Sequence, residues 1–512
     1  MNKVIILSLL ILPFCFCSCD GDVINLVPVG DTESVFYQNE VQMDMAMFGI
    51  YQKNGFFYHF RGGQWNHVSP VYLLPSDDLT SPESLDCENF TGFSGNTVQT
   101  KTYYQFAYQL LARANTLLQK IEENGAIAYQ TKPEQKEWNK GEALFFRAYM
   151  HIQLWNVFGT APKVMERMLN LDKVYLPNTH GTELLDVAID DLAEAAQLLP
   201  HSWPDRMKGR LTKNSAFALR SKALVFRGAV NMSQSDFIAA IEDINQIQDV
   251  ALTARYGDNF ELATENNCES LFEYQANDSQ SGTNPYLNND EFAVVGELTH
   301  YTGIYNKLPN WIGNLYYVAT EQIKNEYEAG DPRRDYNINM TASVVDGNVL
   351  KYIHEGNAAL VDNWAADAGV SINNPRILRY ADVLLLKAEA LVRSGGSLSE
   401  AIGLINQVRE RARNSTDNGL PSTVPADRDV SETGRDTVLE WIFLERRLEL
   451  AFEEGHRWWD LRRRHMTGEI DLKTFDFGSL NKAFQFRDHN VYFPLPSSEV
   501  VDNIYLNQNT GY

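Results

Sequence analysis

Residues 437–461 read TVLEWIFLERRLELAFEEGHRWWDL. Val438, Trp441, Ile442, Leu448 and Phe452 recur at helical spacing and make one apolar stripe. Glu445 and Glu449 fall on or beside that stripe, one turn apart. A carboxylate on a buried face is costly unless it is paired and hydrogen-bonded. Arg446, Arg447 and Arg457 are near in sequence and can pair with it. The stretch therefore predicts a core-packed helix whose acids are locked in ion pairs. Two glutamates could also suggest the acid pair of a glycosidase. One helix face supplies two acids but no evident cleft, so the structural reading is preferred.

Working upstream, residues 376–394 and 398–413 carry helical period on either side of the Gly395-Gly396 turn. Residues 379–412 form one helix–turn–helix of 34 residues, the tetratricopeptide length. Ala388, Ala390 and Ala401 permit close helix contact. Residues 213–230 and 235–247 repeat the shape, with Ser233 and Ser235 as N-cap candidates. The full repeat consensus is absent, so these units are tetratricopeptide-like. Stacked pairs of this kind build a curved scaffold. Further helices are expected over 34–49, 102–124, 134–158 and 182–199, the third stopped by Gly159-Thr160-Ala161-Pro162. The fold class is mainly α, with tetratricopeptide-like pairs, a loop-rich capping region and a few short strands.

Residues 258–375 break this pattern. They are rich in Asn, Gly and Tyr, and Asp346-Gly347 marks a type I′ hairpin turn. Long loops in a compact protein usually carry function, so the ligand surface is expected in this insert.

The N-terminus reads as an export signal. Lys3 precedes a 13-residue apolar run, 4–16. That is too short for a membrane-spanning helix, which needs about 20 residues. Phe16-Cys17-Ser18-Cys19 resembles a lipobox, which would make Cys19 the lipidated first residue of the mature chain. Phe16 stands where leucine is usual, and the alternative is simple cleavage to a periplasmic protein. Asp20-Gly21-Asp22 follows at once and favours the lipoprotein reading.

The chain of 512 residues carries a formal charge of -23, and loss of residues 1–18 removes only Lys3, leaving -24. Nucleic acid and anionic lipid headgroups are poor partners for such a surface. With 44% hydrophobic residues it can bury a sizeable core. Outside the signal region only Cys87 and Cys268 remain. An exported protein allows them to pair, and their spacing does not decide; two unpaired thiols is the preferred reading. The histidines form no metal-like pair, and Asp77-Asp78 and Asp331 resemble no EF-hand loop. Asp331-Pro332-Arg333-Arg334 reads as a capped turn. No Gly-x-Ser-x-Gly, His-Glu-x-x-His or phosphate-binding glycine loop occurs. No cofactor or metal is expected.

Four segments together resemble the SusD/RagB family of outer-membrane lipoproteins. The first is Glu445-Arg446-Arg447-x-Glu449-Leu450, followed by Glu454-Gly455-x-Arg457-Trp458-x-Asp460-Leu461-Arg462-Arg463. Gly141-Glu142-Ala143 with Arg147-Ala148-Tyr149, running on to Phe158-Gly159, is the second. The third is Leu378 to Leu385 with Ala388-Glu389-Ala390, and the fourth runs from Val491 to Pro496, with Glu499, Asn503 and 508–512. The resemblance covers the chain from about residue 20 to its last residue. It implies a helical lipoprotein facing outside, not an enzyme, that binds oligosaccharides or, in the RagB branch, peptides. It also implies a partner, a SusC-like TonB-dependent transporter barrel over which the protein sits as a lid. A helical glycoside hydrolase or lyase is the less favoured alternative. The implied layout is a signal peptide over 1–18, a lipidated tether over 19–33 and one domain over 34–512. That domain divides into a helical scaffold (34–257), the loop-rich insert (258–375) and C-terminal helical motifs (376–512). Glu445, Arg446, Glu449, Glu454, Gly455, Arg457, Trp458 and Asp460 are scaffold residues of the family pattern, and no ligand residue carries over by motif.

Sugars stack their C–H faces on aromatic rings and bond through their hydroxyls to Asn, Asp or Arg. Tyr301, Tyr305, Trp311, Tyr316 and Tyr317 of the insert are the candidates that fit, Trp311, Tyr316 and Tyr317 foremost. Trp65 and Phe90 join them from the earlier loop, 54–100. Trp155, Trp441, Trp458 and Trp459 lie on helical segments and are expected in the core.

Overall fold

The computed structural model describes residues 33–512, apart from 34, 59–67, 82–85, 171–172, 277–316, 341–348, 353–372 and 480–484. It is mainly helical. Among the described residues, ten long helices are α1 (Glu40–Asn54), α2 (Val98–Ala128), α3 (Pro133–Phe158), α4 (Glu183–Leu198), α5 (Lys213–Asn231), α6 (Gln234–Ile244), α7 (Tyr380–Ser394), α8 (Leu398–Arg413), α9 (Arg435–Glu449) and α10 (His456–Met466). From α1 to α8 each packs on its predecessor. The pairs α5/α6 and α7/α8 stack directly, because α6 packs on α7. Helix α9 lies against α7 and α8, and α10 returns to touch α5.

Local chemistry sets most of these boundaries. Thr212 and Ser215 form a reciprocal capping box at the start of α5. Ser233 caps α6 by accepting from the Asp236 N–H; Ser235 lies inside the helix. Gly395, at φ +82°, ends α7, and the Ser397 side chain accepts from the Glu400 N–H to begin α8. The first helix starts at residue 40 rather than 34, because the Asn39 side chain accepts from the Gln42 N–H there.

One sequence expectation needs correction. Residues 376–379, read as the start of a helix, form strand β4 (Arg376–Arg379). It pairs antiparallel with β2 (Ser270–Glu273), Ser270 opposite Arg379 and Glu273 opposite Arg376. The partner lies about a hundred residues away, so local period could not reveal the strand. A second pair joins β1 (Leu79–Thr80) to β3 (Val318–Ala319). The predicted Asp346-Gly347 turn lies outside the described residues, and Ile338 bridges Val349 across it.

One large core runs through α1–α7 and α10, and a second fills the space between α7, α8 and α9. Trp155, Trp458 and Trp459 are buried and Trp441 is half-buried. Cys87 is buried, Cys268 is exposed, and both are free thiols.

Candidate functional site

The base of the insert is held by a buried ion-pair network centred on α9. Glu445 and Glu449 are fully buried. Arg333 Nη1 donates to Glu445 at 2.6 Å and to Glu449 at 3.1 Å, while its Nη2 donates to Asp331 at 2.8 Å. Arg409 reaches the other Glu445 oxygen at 2.8 Å. Arg379, at the end of β4, donates to Glu449, Glu269 and Glu453 at 2.7–2.9 Å. Arg411 binds Glu269 and Glu449, and Lys351 binds Glu453. Burial alone would push Glu449 up, but Arg411, Arg379 and Arg333 outweigh it and hold its carboxyl down at about 2. Its oxygens are engaged by guanidinium groups and sealed from solvent, so this acid pair cannot protonate a glycosidic oxygen or activate water.

Neighbouring motif residues tie other elements together. Arg446 donates to Asp382 of α7 and Asp460 of α10, each at 2.7 Å. Lys222 of α5 reaches Asp382 at 3.0 Å. Arg447 donates to Asp78 at 2.8 Å, and Arg457 grips Asp77 at 2.7 and 2.9 Å. Asp77 and Asp78 thus serve arginines. Among the described residues no group of His, Cys, Asp and Glu is placed to hold a metal ion.

Helices α9 and α10 are linked by a tight turn in which Phe452, Glu454 and Gly455 all have positive φ. Glycine adopts this readily and the other two at a cost. The turn sends Glu453 toward Arg379 and Lys351, and Glu454 toward the opposite partner, Tyr58, whose hydroxyl donates at 2.9 Å. Burial pushes the Glu454 carboxyl up to about 7. Tyr58 stacks on Tyr274, with centroids 6.0 Å apart.

These contacts bring together the feet of the segments nominated for ligand binding. Strands β1 and β3 join the 54–100 loop to the insert. Thr320 N–H donates to Asp78 O at 3.0 Å, and Ser69 and Tyr317 share a hydroxyl hydrogen bond of 2.8 Å. Ala276 N–H donates to Asn374 Oδ1 at 2.8 Å, and Asn373 Nδ2 reaches Tyr352 O at 3.3 Å and Phe260 O at 2.7 Å. Asn374 N–H donates to Glu265 at 2.7 Å, and burial pushes that carboxyl up to about 7 as well. None of these stem residues carries a sequence signal, since their partners lie tens to hundreds of residues away.

Of the seven nominated aromatics, Trp65, Tyr301, Tyr305, Trp311 and Tyr316 lie outside the described residues. The other two are corrected. Tyr317 is 1% exposed beside the buried β1–β3 pair, and Phe90 is 6% exposed. Phe90 packs on Trp458 at 5.6 Å and Phe486 at 5.2 Å. Both rings belong to the core and offer no open face to a sugar.

The SusD family's sequence pattern matches residues 231–512, and a second, described as starch-binding and associating with the outer membrane, matches 73–224. SusD-like protein P2 of Formosa agariphila is 26% identical over 483 residues, which are 88% of this chain and 89% of that protein. A laminarin-binding SusD-like protein of known structure superposes with a TM-score of 0.71 at 23% identity, covering 93% of this chain and 100% of that one. Surface glycan-binding protein A from Bacteroides thetaiotaomicron, in complex with laminarihexaose, gives 0.72 at 19% identity, covering 92% and 99%. At these identities the structural likenesses establish the fold.

Proposed function

The chain belongs to the SusD family, and from that membership we propose that it is a non-catalytic glycan-binding protein of the bacterial surface. In this reading Cys19 carries the lipid anchor, and the protein sits on the outer face of the outer membrane. It captures an oligosaccharide and hands it to a SusC-like TonB-dependent transporter. The aromatic surface is supplied by Trp311, Tyr316, Tyr301 and Tyr305 of the insert with Trp65 of the earlier loop.

The observation that carries this reading is the junction of the two aromatic-rich segments. The β1–β3 pair ties them to each other, and Arg447 and Arg457 tie that junction to α9 and α10. A stacking surface on a shared rigid base loses little ordering entropy on binding a flexible sugar. Two solved structures of the same fold, one named as laminarin-binding and one in complex with laminarihexaose, make laminari-oligosaccharides the first class to try. The acid pair that the sequence nominated, Glu445 and Glu449, is buried and engaged by arginines, which supports binding over hydrolysis at that pair.

The test is calorimetry of residues 20–512 against a glycan panel that begins with laminari-oligosaccharides, with product analysis on every hit. Binding without turnover is the expected result. Turnover would overturn the non-catalytic reading, and silence across the panel alongside binding of peptides would replace sugar with peptide capture.

A further inference from the structure

A cleft of about 870 Å³ opens where the C-terminal residues meet the segment after α3. That is within the usual size of a small-ligand site, about 300–1,000 Å³. Its lining comes from Thr160, from 177–180 and from 487–511, so it shares no residue with the insert or the 54–100 loop. Amides build its walls. Asn178 Nδ2 donates to Asn507 O at 2.9 Å, and Asn507 N–H donates back to Asn178 Oδ1 at 2.7 Å. Asn509 Nδ2 donates to Phe158 O at 2.8 Å and Phe493 O at 2.7 Å, while Thr160 Oγ1 donates to Asn509 Oδ1 at 2.5 Å. Gln508 exchanges two hydrogen bonds with the Leu495 backbone. The C-terminal segment 508–511 is thus fastened in place as one side of the cleft.

Other groups lining it are left unused. Among the described residues, the hydroxyls of Tyr492 and Tyr505 and the imidazoles of His180 and His489 make no hydrogen bond. Arg487 has no carboxylate partner there either; its one contact is a long bond to Gln485 at 3.5 Å. The adjacent Asp488 is taken by Lys473 at 3.1 and 3.2 Å. An arginine without an acid, in a chain with 67 acids against 44 bases, is placed to take an anion from outside. Two of the rings are held still. A Cβ on Gly159 would stand 2.6 Å from the Tyr492 ring, so only glycine lets that ring lie there, and the Arg462 guanidinium sits 5.2 Å from its centroid. His489 meets Tyr512 edge to face at 4.8 Å. Burial, and then Arg487, push the His489 imidazole below its usual range, so at pH 7 it is neutral and offers one donor and one acceptor.

We propose that this cleft is a second saccharide site and that it takes an acidic sugar, a uronate. Arg487 holds the carboxylate, whose two oxygens match the guanidinium fork. Tyr505, 57% exposed, offers a ring face to the C–H face of the sugar. Tyr492, His180 and His489 bond the sugar hydroxyls. The choice of a sugar rests on the glycan-binding reading above, and the choice of an acidic one rests on Arg487. The net charge of -23 does not forbid it, because distant acids are screened beyond about 8 Å at physiological salt while a direct contact to Arg487 is not.

The experiment titrates residues 20–512 with trigalacturonate by calorimetry. Expected is binding that Arg487→Gln weakens about tenfold or more and Tyr505→Ala about fivefold or more, and that Trp311→Ala leaves unchanged. Arg487 and Tyr505 are both exposed, so the two cleft variants should melt within about a degree of the parent. A neutral galactose trisaccharide should bind the parent about tenfold or more weakly and should not respond to Arg487→Gln. No binding of trigalacturonate at millimolar concentration, binding lost with Trp311→Ala rather than with Arg487→Gln, or tighter binding of triglutamate than of the sugar would each overturn the proposal. Failure of the insert reading shows separately, as laminari-oligosaccharide binding that Trp311→Ala does not change.

Discussion

Glu445→Ala tests the ion-pair network directly. Glu445 is fully buried, with Arg333 at 2.6 Å on one oxygen and Arg409 at 2.8 Å on the other. Removing one partner of a buried pair usually costs about 3–5 kcal/mol, because the stranded charge keeps its desolvation penalty. Here neither arginine is left alone. Arg333 keeps Asp331 and Glu449, and Arg409 keeps Glu328. The expected loss is therefore at the lower end, about 3 kcal/mol. Unfolding a chain of this length carries an entropy of about 1 kcal/mol per kelvin, so the thermal midpoint should fall by about 3 °C. Differential scanning calorimetry resolves such a change. The cycle of Glu445→Ala, Arg333→Met and the double variant should be non-additive, because Arg333→Met already removes the Arg333 contact that Glu445→Ala breaks. A midpoint within 0.5 °C of the parent (roughly the calorimetric error, or about 0.5 kcal/mol), or additive losses, would refute the view that Glu445 is a desolvated, paired charge.

Three further expectations can be checked with the same preparations. Glu454 has its carboxyl raised from 4.5 to about 7 by burial, so the unfolded chain releases this proton first as pH rises. Stability from this group is then lost between pH 4.5 and 7, by up to about 3 kcal/mol. Glu454→Gln, which can still accept from Tyr58, should have a higher melting temperature than the parent at pH 8 and a nearly equal one at pH 4.5; no pH dependence in the difference would show the acid to be solvated. Gly455 sits at φ +69°, and a Cβ there would stand 2.7 Å from the Tyr72 carbonyl oxygen, so Gly455→Ala should destabilise by about 2–3 kcal/mol in urea unfolding. Trp311→Ala should weaken glycan binding at least tenfold by calorimetry, about 1.4 kcal/mol, while leaving the melting temperature within a degree; a large stability loss instead would place Trp311 in the core.

Several helices could be placed from sequence because helical period and caps are local. Residues 398–413 run as read, since Gly395 ends the helix before, the Ser397 cap starts this one and the apolar stripe carries it on to Arg413. The pairing demand on Glu445 and Glu449 was legible too, because an apolar stripe that contains carboxylates requires cations wherever they come from. Their identity was not legible. Arg446 and Arg447, the nearest in sequence, serve Asp382, Asp460, Asp77 and Asp78, while Glu445 and Glu449 take Arg333, Arg379, Arg409 and Arg411 from other elements. The strand at 376–379 was missed for the same reason, its partner being contributed from 270–273.

The aromatic nominations show the limit most clearly. Tyr317 and Phe90 have the composition of a sugar platform and the burial of a core. An aromatic ring has the same sequence signature whether it stacks on a ligand or on Trp458, because hydrophobicity is common to both uses. The sequence by itself determined the helical scaffold, the need for buried pairing and the family pattern, each of which rests on spacing along the chain. Which arginine meets which glutamate, which rings are sealed and which loops share a foot were decided only by tertiary structure, because those contacts join residues up to several hundred positions apart and leave no period to read.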